Sequence, residues 1–313
     1  MAALTLVEAA KRHSGDVYRE GIIETIGTQG GSVLSVLPFI DINGGAYAYN
    51  REHALPSVGF RGINEAYDTS VGVINPQTEV LTIFGGNLDV DKAIIKMNGE
   101  DARDSQEDMM LKSMVLNWNR VFFKGDSTSN PREFDGLQKR LVIGGTQVIE
   151  AGSTSGGDAL SLDKLDELID AVEEPTHLLM NRVLLRRLAA ASRNTAVSGF
   201  ITFEADEMGR RITRYNDLPI IAIDKDGENE AILGFNEAQS GGGTAASTSV
   251  YCVSLMDGKL VGLQNGSVDV EDLGLLDSGS VYRTNIEHLQ AIALLTDKAA
   301  ARLRGIKDVA VVA

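Results

Sequence analysis

Four histidines, one cysteine and a few short acidic runs hold whatever chemistry this sequence offers. His13, His53, His177 and His288 stand far apart, with no His-x-x-x-His or His-Glu pairing to gather around a metal or to activate a nucleophile. They read as structural or surface residues. Cys252 is the single cysteine, so neither a disulfide within the chain nor a cysteine-based zinc site can form. Gly27-Thr28-Gln29-Gly30-Gly31-Ser32 has the glycine of a phosphate cradle, but no Gly-Lys-Ser/Thr follows, and it reads as a flexible joint. In Asp224-Lys225-Asp226-Gly227-Glu228-Asn229-Glu230 the glycine comes too early for a calcium-binding EF-hand loop, and a hairpin turn fits better. Asp89-Val90-Asp91 and Asp269-Val270-Glu271-Asp272 can each put two carboxylates on one strand face, most simply as solvated charge on an edge strand. The expectation is no catalytic residue, no metal, no cofactor and no enzyme.

One basic cluster stands apart: Arg182, Arg186, Arg187 and Arg193, then Arg210, Arg211 and Arg214. The net charge is −15, so the protein as a whole repels nucleic acid. Contact with a neighbouring copy and plain helix surface weigh equally for these arginines, and contact with DNA weighs less. No run of about 18 apolar residues is present, so no membrane partner is expected, and synthesis in the cytosol is.

The elements that would carry these residues divide unevenly. Residues 3–26 read as a short amphipathic opening, with Thr5 and Glu8 in capping-box spacing. From 27 to 99 helix signals vanish, and β-branched residues, aromatics and glycines dominate. The chain has 33 glycines, above the usual ~7%, which favours long loops and hairpins. Residues 100–124 make the strongest helix, with Leu111, Met114, Val115, Trp118, Val121 and Phe122 in one stripe. At roughly 25 residues and ~1.5 Å rise it spans nearly 40 Å, long for a globular domain. Trp118, the only tryptophan, belongs to the core on this pattern.

Residues 145–261 read as an α/β unit. It has helices over 161–172 and 182–193, the second capped by Asn181, a strand at 177–180, and hairpins around 226–227 and 257–258. Residues 282–296 form a strand that becomes continuously apolar, and 298–304 a short closing helix.

Particular segments resemble a known family. Val36-Leu37-Pro38-Phe39, Ala46-Tyr47-Ala48-Tyr49-Asn50-Arg51-Glu52, Leu55-Pro56 and Phe60-Arg61-Gly62-Ile63-Asn64-Glu65 look like the extended-loop region of tailed-phage major capsid proteins. Phe122-Phe123-Lys124-Gly125-Asp126 and Phe134-Asp135-Gly136-Leu137 look like that family's exit from its spine helix. Tyr282-Arg283-Thr284 through Arg304-Gly305-Ile306 resembles its closing strand and helix.

The resemblance implies an α+β fold of the Hong Kong phage-type shell class. Residues 1–45 would be the N-arm and 46–86 the extended loop. Residues 87–145 and 262–313 would form the peripheral domain with its spine helix 100–124, and 146–261 the axial domain. It implies self-assembly into hexamers and pentamers of an icosahedral shell around phage DNA, packaged without sequence specificity. The partners would be further copies of itself, a portal protein and possible cement proteins. A separate scaffolding protein is expected, because the sequence passes almost directly into the arm. The setting would be the virion capsid, assembled in the host cytoplasm. A bacterial nanocompartment shell of the same fold is the alternative. Arg51, Glu52, Arg61 and Glu65 are the expected intersubunit ion-pair residues. Some relatives weld a loop lysine to a neighbour's asparagine, but no lysine lies between Lys11 and Lys92, so no such weld is expected here.

Overall fold

The computed structural model describes residues 33–98, 101–193, 199–205, 211–223, 225–226, 230–238, 246–277 and 279–312. The amphipathic opening over 3–26 and the glycine-rich joint at 27–32 lie outside the described residues.

Three sheets are present among the described residues. The first is a long ribbon of two antiparallel strands, β2 (Ala46–Ala54) and β3 (Val73–Val80), joined by a reach of chain without regular structure. The second centres on β13 (Val281–Leu294). One edge of β13 carries β4 (Thr82–Asp91), and the other carries β12 (Asp269–Leu275) and then β11 (Leu260–Gln264). Beyond β11 lies β1 (Phe39–Asp41) in parallel. The third sheet runs β5 (Val148–Glu150), β14 (Ala300–Ile306), β10 (Thr248–Val253), β6 (His177–Asn181), β9 (Leu218–Ile223), β8 (Arg211–Tyr215), β7 (Ile201–Ala205).

Five helices accompany them among the described residues: α1 (Lys92–Asn98), α2 (Asp101–Lys124), α3 (Leu137–Arg140), α4 (Leu162–Asp170) and α5 (Arg182–Ala191). The apolar stripe of α2 is buried along its length, from Leu111 through Trp118 to Phe122. Trp118 is 2% exposed and stacks on Phe122 at 5.2 Å. At its C-terminal end Phe123 meets Tyr251 of β10 at 5.4 Å, so α2 is packed against the second and third sheets at once. Gly125 and Gly136 let the chain leave the helix. A Cβ on Gly136 would stand 2.5 Å from the Val121 carbonyl, a distance no side chain tolerates. Asn181 caps α5 by accepting from the Val183 amide at 2.8 Å.

Three local expectations are corrected. Residues 298–304 are not a helix: a single 3-10 turn, Asp297–Ala299, leads into strand β14. Pairing on both edges, with β10 and β5, outweighs the helix propensity of Ala-Ala-Arg-Leu-Arg, and Gly305 at φ 81° ends the helical option. The Asp257-Gly258 turn makes no hairpin. It hands the chain from β10 in the third sheet to β11 in the second. Beyond β9, the strand expected at 231–235 as the second arm of the 226–227 hairpin forms one bridge among the described residues, Lys225 to Ala231, while β9 pairs with β6 and, at its start, with β8.

Candidate intersubunit surface

The β2–β3 ribbon alternates tyrosine with small or polar residues. Tyr47 and Tyr49 lie on one face, stacked at 5.8 Å and packed against the core. Its base is fastened to the end of β13. Arg51 donates from Nε to the Leu294 carbonyl at 2.9 Å and from Nη1 to Asp297 Oδ1 at 2.9 Å. Tyr49 donates its hydroxyl to the same carbonyl at 3.1 Å. On β3, Glu79 receives both terminal nitrogens of Arg140.

The far end is a different surface. Between β2 and β3 every described side chain is exposed, and apolar ones are prominent: Val58 is 95%, Phe60 109% and Ile63 94% exposed. Leu55, Tyr67 and Val71 stand out with them. The tip nevertheless holds a defined turn. Gly62 donates its amide to Glu65 Oε2 at 2.8 Å, Asn64 sits at φ 66°, and Arg61 donates to the Glu65 carbonyl while lying 5.3 Å over the Tyr67 ring. The stalk is thus fastened to the body, while its apolar tip is left uncovered by the described residues.

Of the charged residues expected to make intersubunit pairs, three have partners within their own chain. Arg51 is engaged inside its own chain, at the ribbon base. Arg61 and Glu65 hold the tip turn together. Glu52 sits in β2 opposite Ile74, and its side chain lies outside the described residues. The apolar residues Val58, Phe60, Ile63 and Val71 were the missed contact candidates. Their signal in the sequence is an apolar residue at nearly every third position in a stretch with no helix or strand period.

The other chemical candidates remain scattered. Among the described residues no group of three or more His, Cys, Asp or Glu is arranged to hold a metal ion. Asp89 is gripped by Arg283 through two contacts of 2.6 Å, and Asp272 by Arg103 at 2.8 Å. Asp226 accepts from the Glu230 amide at 2.9 Å. His177 faces Thr176, and burial, helped by Arg214, lowers its pKa. His13 and the side chain of His53 lie outside the described residues. Cys252 is wholly buried, and burial pushes its thiol up to about 12, far from a reactive thiolate.

The model of the family described as Major capsid protein GP7 matches residues 19–162, a span that takes in the ribbon, α2 and α3. No curated protein sequence matches the chain. Among solved structures, one titled Microbacterium phage Oxtober96 aligns over 88% of this chain and 90% of its own, with 14% identity and a TM-score of 0.62. One titled Mycobacterium phage Cain covers 89% and 90%, at 12% identity and a TM-score of 0.61. The holo-SrpI encapsulin complex from Synechococcus elongatus PCC 7942 covers 88% and 87%, at 18% identity and a TM-score of 0.61. The chain has the Hong Kong phage-type capsid fold. It resembles tailed-phage major capsid proteins in sequence over residues 19–162 and in fold over nearly its whole length.

Proposed function

We propose that this chain is a major capsid protein whose copies form hexamers and pentamers and close into an icosahedral shell around phage DNA. The observation that carries this reading is the extended loop, with its base bonded to β13 and its apolar tip uncovered by the described residues of its own chain. A neighbouring copy of a shell subunit is the natural cover. Weak contacts repeated at several neighbours give a closed shell its avidity.

In this reading residues 1–45 act as the N-arm, 46–86 as the extended loop, the sheet around β13 with α2 as the peripheral domain, and the seven-stranded sheet as the axial domain. Strand β14 then belongs with the axial sheet. A separate scaffolding protein, a portal protein and a cement protein would complete the particle, which assembles in the host cytoplasm. The likeness to an encapsulin supports a second reading, a bacterial nanocompartment shell, in which the lumen holds protein cargo instead of DNA.

Negative-stain microscopy of the purified protein tests both, since either container gives closed particles of uniform diameter. Replacing residues 55–72 by a short glycine linker should leave a folded body that closes no shell. Phe60→Ser with Ile63→Ser should do the same with a smaller lesion. Normal particles from the linker variant would remove the extended loop from the contact, and a small monodisperse wild-type oligomer would remove the shell reading. Nucleic acid or protein recovered from native particles separates capsid from nanocompartment.

A further inference from the structure

The axial sheet carries both of its helices on one face. Strands β5, β6 and β9 run in the same direction, so the crossovers β5–α4–β6 and β6–α5–β9 both step the same way across the sheet. Right-handed crossovers of that kind place their helices on a common side. The buried residues agree, since Leu165 and Leu168 of α4 share a cluster with Leu184 and Leu188 of α5. The opposite face is the one that Phe123 of the spine helix meets through Tyr251.

The outer surfaces of these two helices carry opposite charge. On α4, Asp163, Asp166, Glu167 and Asp170 are all exposed, at the spacing of one helical face. On α5, Arg182, Arg186 and, just past its end, Arg193 are exposed on one face, and the helix contains no acidic residue. Local pairing uses some of these charges: Asp166 accepts from the Tyr215 hydroxyl, Glu167 pairs with Lys164, and Arg187 with Asp308. Asp163 and Asp170, Arg186 and Arg193 make no ion pair or side-chain hydrogen bond among the described residues. The layer is therefore polarised, acidic over β5 and β14 and basic over β6 and β9.

We propose that this polarised layer is a contact between copies, with the Arg186–Arg193 row of one subunit lying against the Asp163–Asp170 row of the next. The inference rests on the shell reading. Head-to-tail repetition around a rotation axis brings unlike patches together, whereas a back-to-back pairing would oppose like charges. A second copy fits better than nucleic acid, because the arginines stand beside a row of carboxylates that would repel a polyanion, in a chain of net charge −15.

Charge reversal tests this on the full chain. Arg186→Glu with Arg193→Glu puts acid against acid at every contact, and Asp163→Lys with Asp170→Lys puts base against base. Each pair should raise the concentration needed for assembly by about tenfold or more, since like charges facing across an interface are strongly unfavourable. Combining all four substitutions restores opposite charges with the polarity reversed, and assembly should return toward the wild-type concentration. Thermal melting of each variant checks that the body is folded. If a reversal does not fold, Arg186→Gln with Arg193→Gln should still weaken assembly and reduce its salt dependence. Wild-type shells with indifferent variants, or a fourfold variant that stays unassembled, overturn this contact alone. Loss of DNA binding in the arginine variant with assembly unchanged also overturns it, in favour of nucleic acid. If the wild type makes no shell, this contact falls together with the shell reading.

Discussion

Glu79, near the end of β3, and Arg140, at the end of α3, meet twice, Nη1 to Oε1 at 2.5 Å and Nη2 to Oε2 at 2.8 Å. The same guanidinium donates from Nη2 to the Ile292 carbonyl at 3.0 Å and from Nε to the Asp135 carbonyl at 2.8 Å. One side chain thus ties β3, the chain leaving α2 and β13 together. Both partners are largely shielded, with side-chain exposures of 10% and 17%.

Removing the acid should therefore be costly. Glu79→Ala leaves a desolvated guanidinium without its counter-charge, a loss of about 3 kcal/mol. Urea unfolding of the dissociated subunit measures it. Arg140→Lys should fall well short of wild type, since an ammonium cannot reproduce the two-pronged contact. A loss below about 1 kcal/mol for Glu79→Ala would place the pair among ordinary surface bridges.

His288 sets a pH limit on the body. It is 5% exposed, lies in a small cavity with Leu34, Met114, Trp118 and Gln290, and its Nε2 has no hydrogen-bond partner among the described residues. Burial lowers its pKa to about 4 from an ordinary 6.5, against the opposing influence of Gln290 and Asp41. The folded state therefore holds neutral imidazole while the unfolded chain takes up a proton. Stability is fully present above pH 6.5 and falls as the pH drops toward about 4, by on the order of 3 kcal/mol. Urea unfolding at several pH values, compared with His288→Gln, isolates the effect. Equal pH slopes for the two proteins between 6.5 and 4 would refute it.

How much was legible can be read from particular residues. The stripe of α2 showed because each member obeys one local period, and the apolar end of β13 showed because a central strand is buried on both faces. Strand β14 did not show, since its partners β10 and β5 lie far off in sequence and its own residues favour a helix. The Asp257-Gly258 turn was recognised, but a turn signal does not say which sheet receives the next strand. The irregular reach between β2 and β3 was legible from its texture. The partner of Arg51 was not legible, because it is a carbonyl 243 residues away.

Trp118 tests the packing of α2 against the body. Its indole is 2% exposed and stacked on Phe122, so truncation removes a large side chain from a closed site. Trp118→Ala should cost about 3–5 kcal/mol and reduce soluble yield before it alters particle geometry. As the only tryptophan it also reports on itself. Native protein should emit at the short wavelengths of a buried indole, and emission typical of solvent-exposed indole would contradict this placement.

Mature particles should be held together without covalent links between subunits. An isopeptide weld at the extended loop needs an amine there, and no lysine lies between Lys11 and Lys92. The arginines cannot replace it, because a guanidinium remains protonated at any working pH. Arg51 is in addition committed to Leu294 and Asp297, and Arg61 to the tip turn. A disulfide weld fails on geometry: Cys252 is wholly buried in a central strand, beyond reach of a neighbour's thiol. The shell must then rely on buried apolar area at tips such as Phe60 and Ile63, on polar contacts between copies, or on an added protein. Contacts of these kinds yield to denaturant. Boiled particles should run on a denaturing gel as one band near the chain mass of 33.5 kDa. A ladder of covalent oligomers would refute this, and mapping its cross-linked peptides would identify the residues responsible.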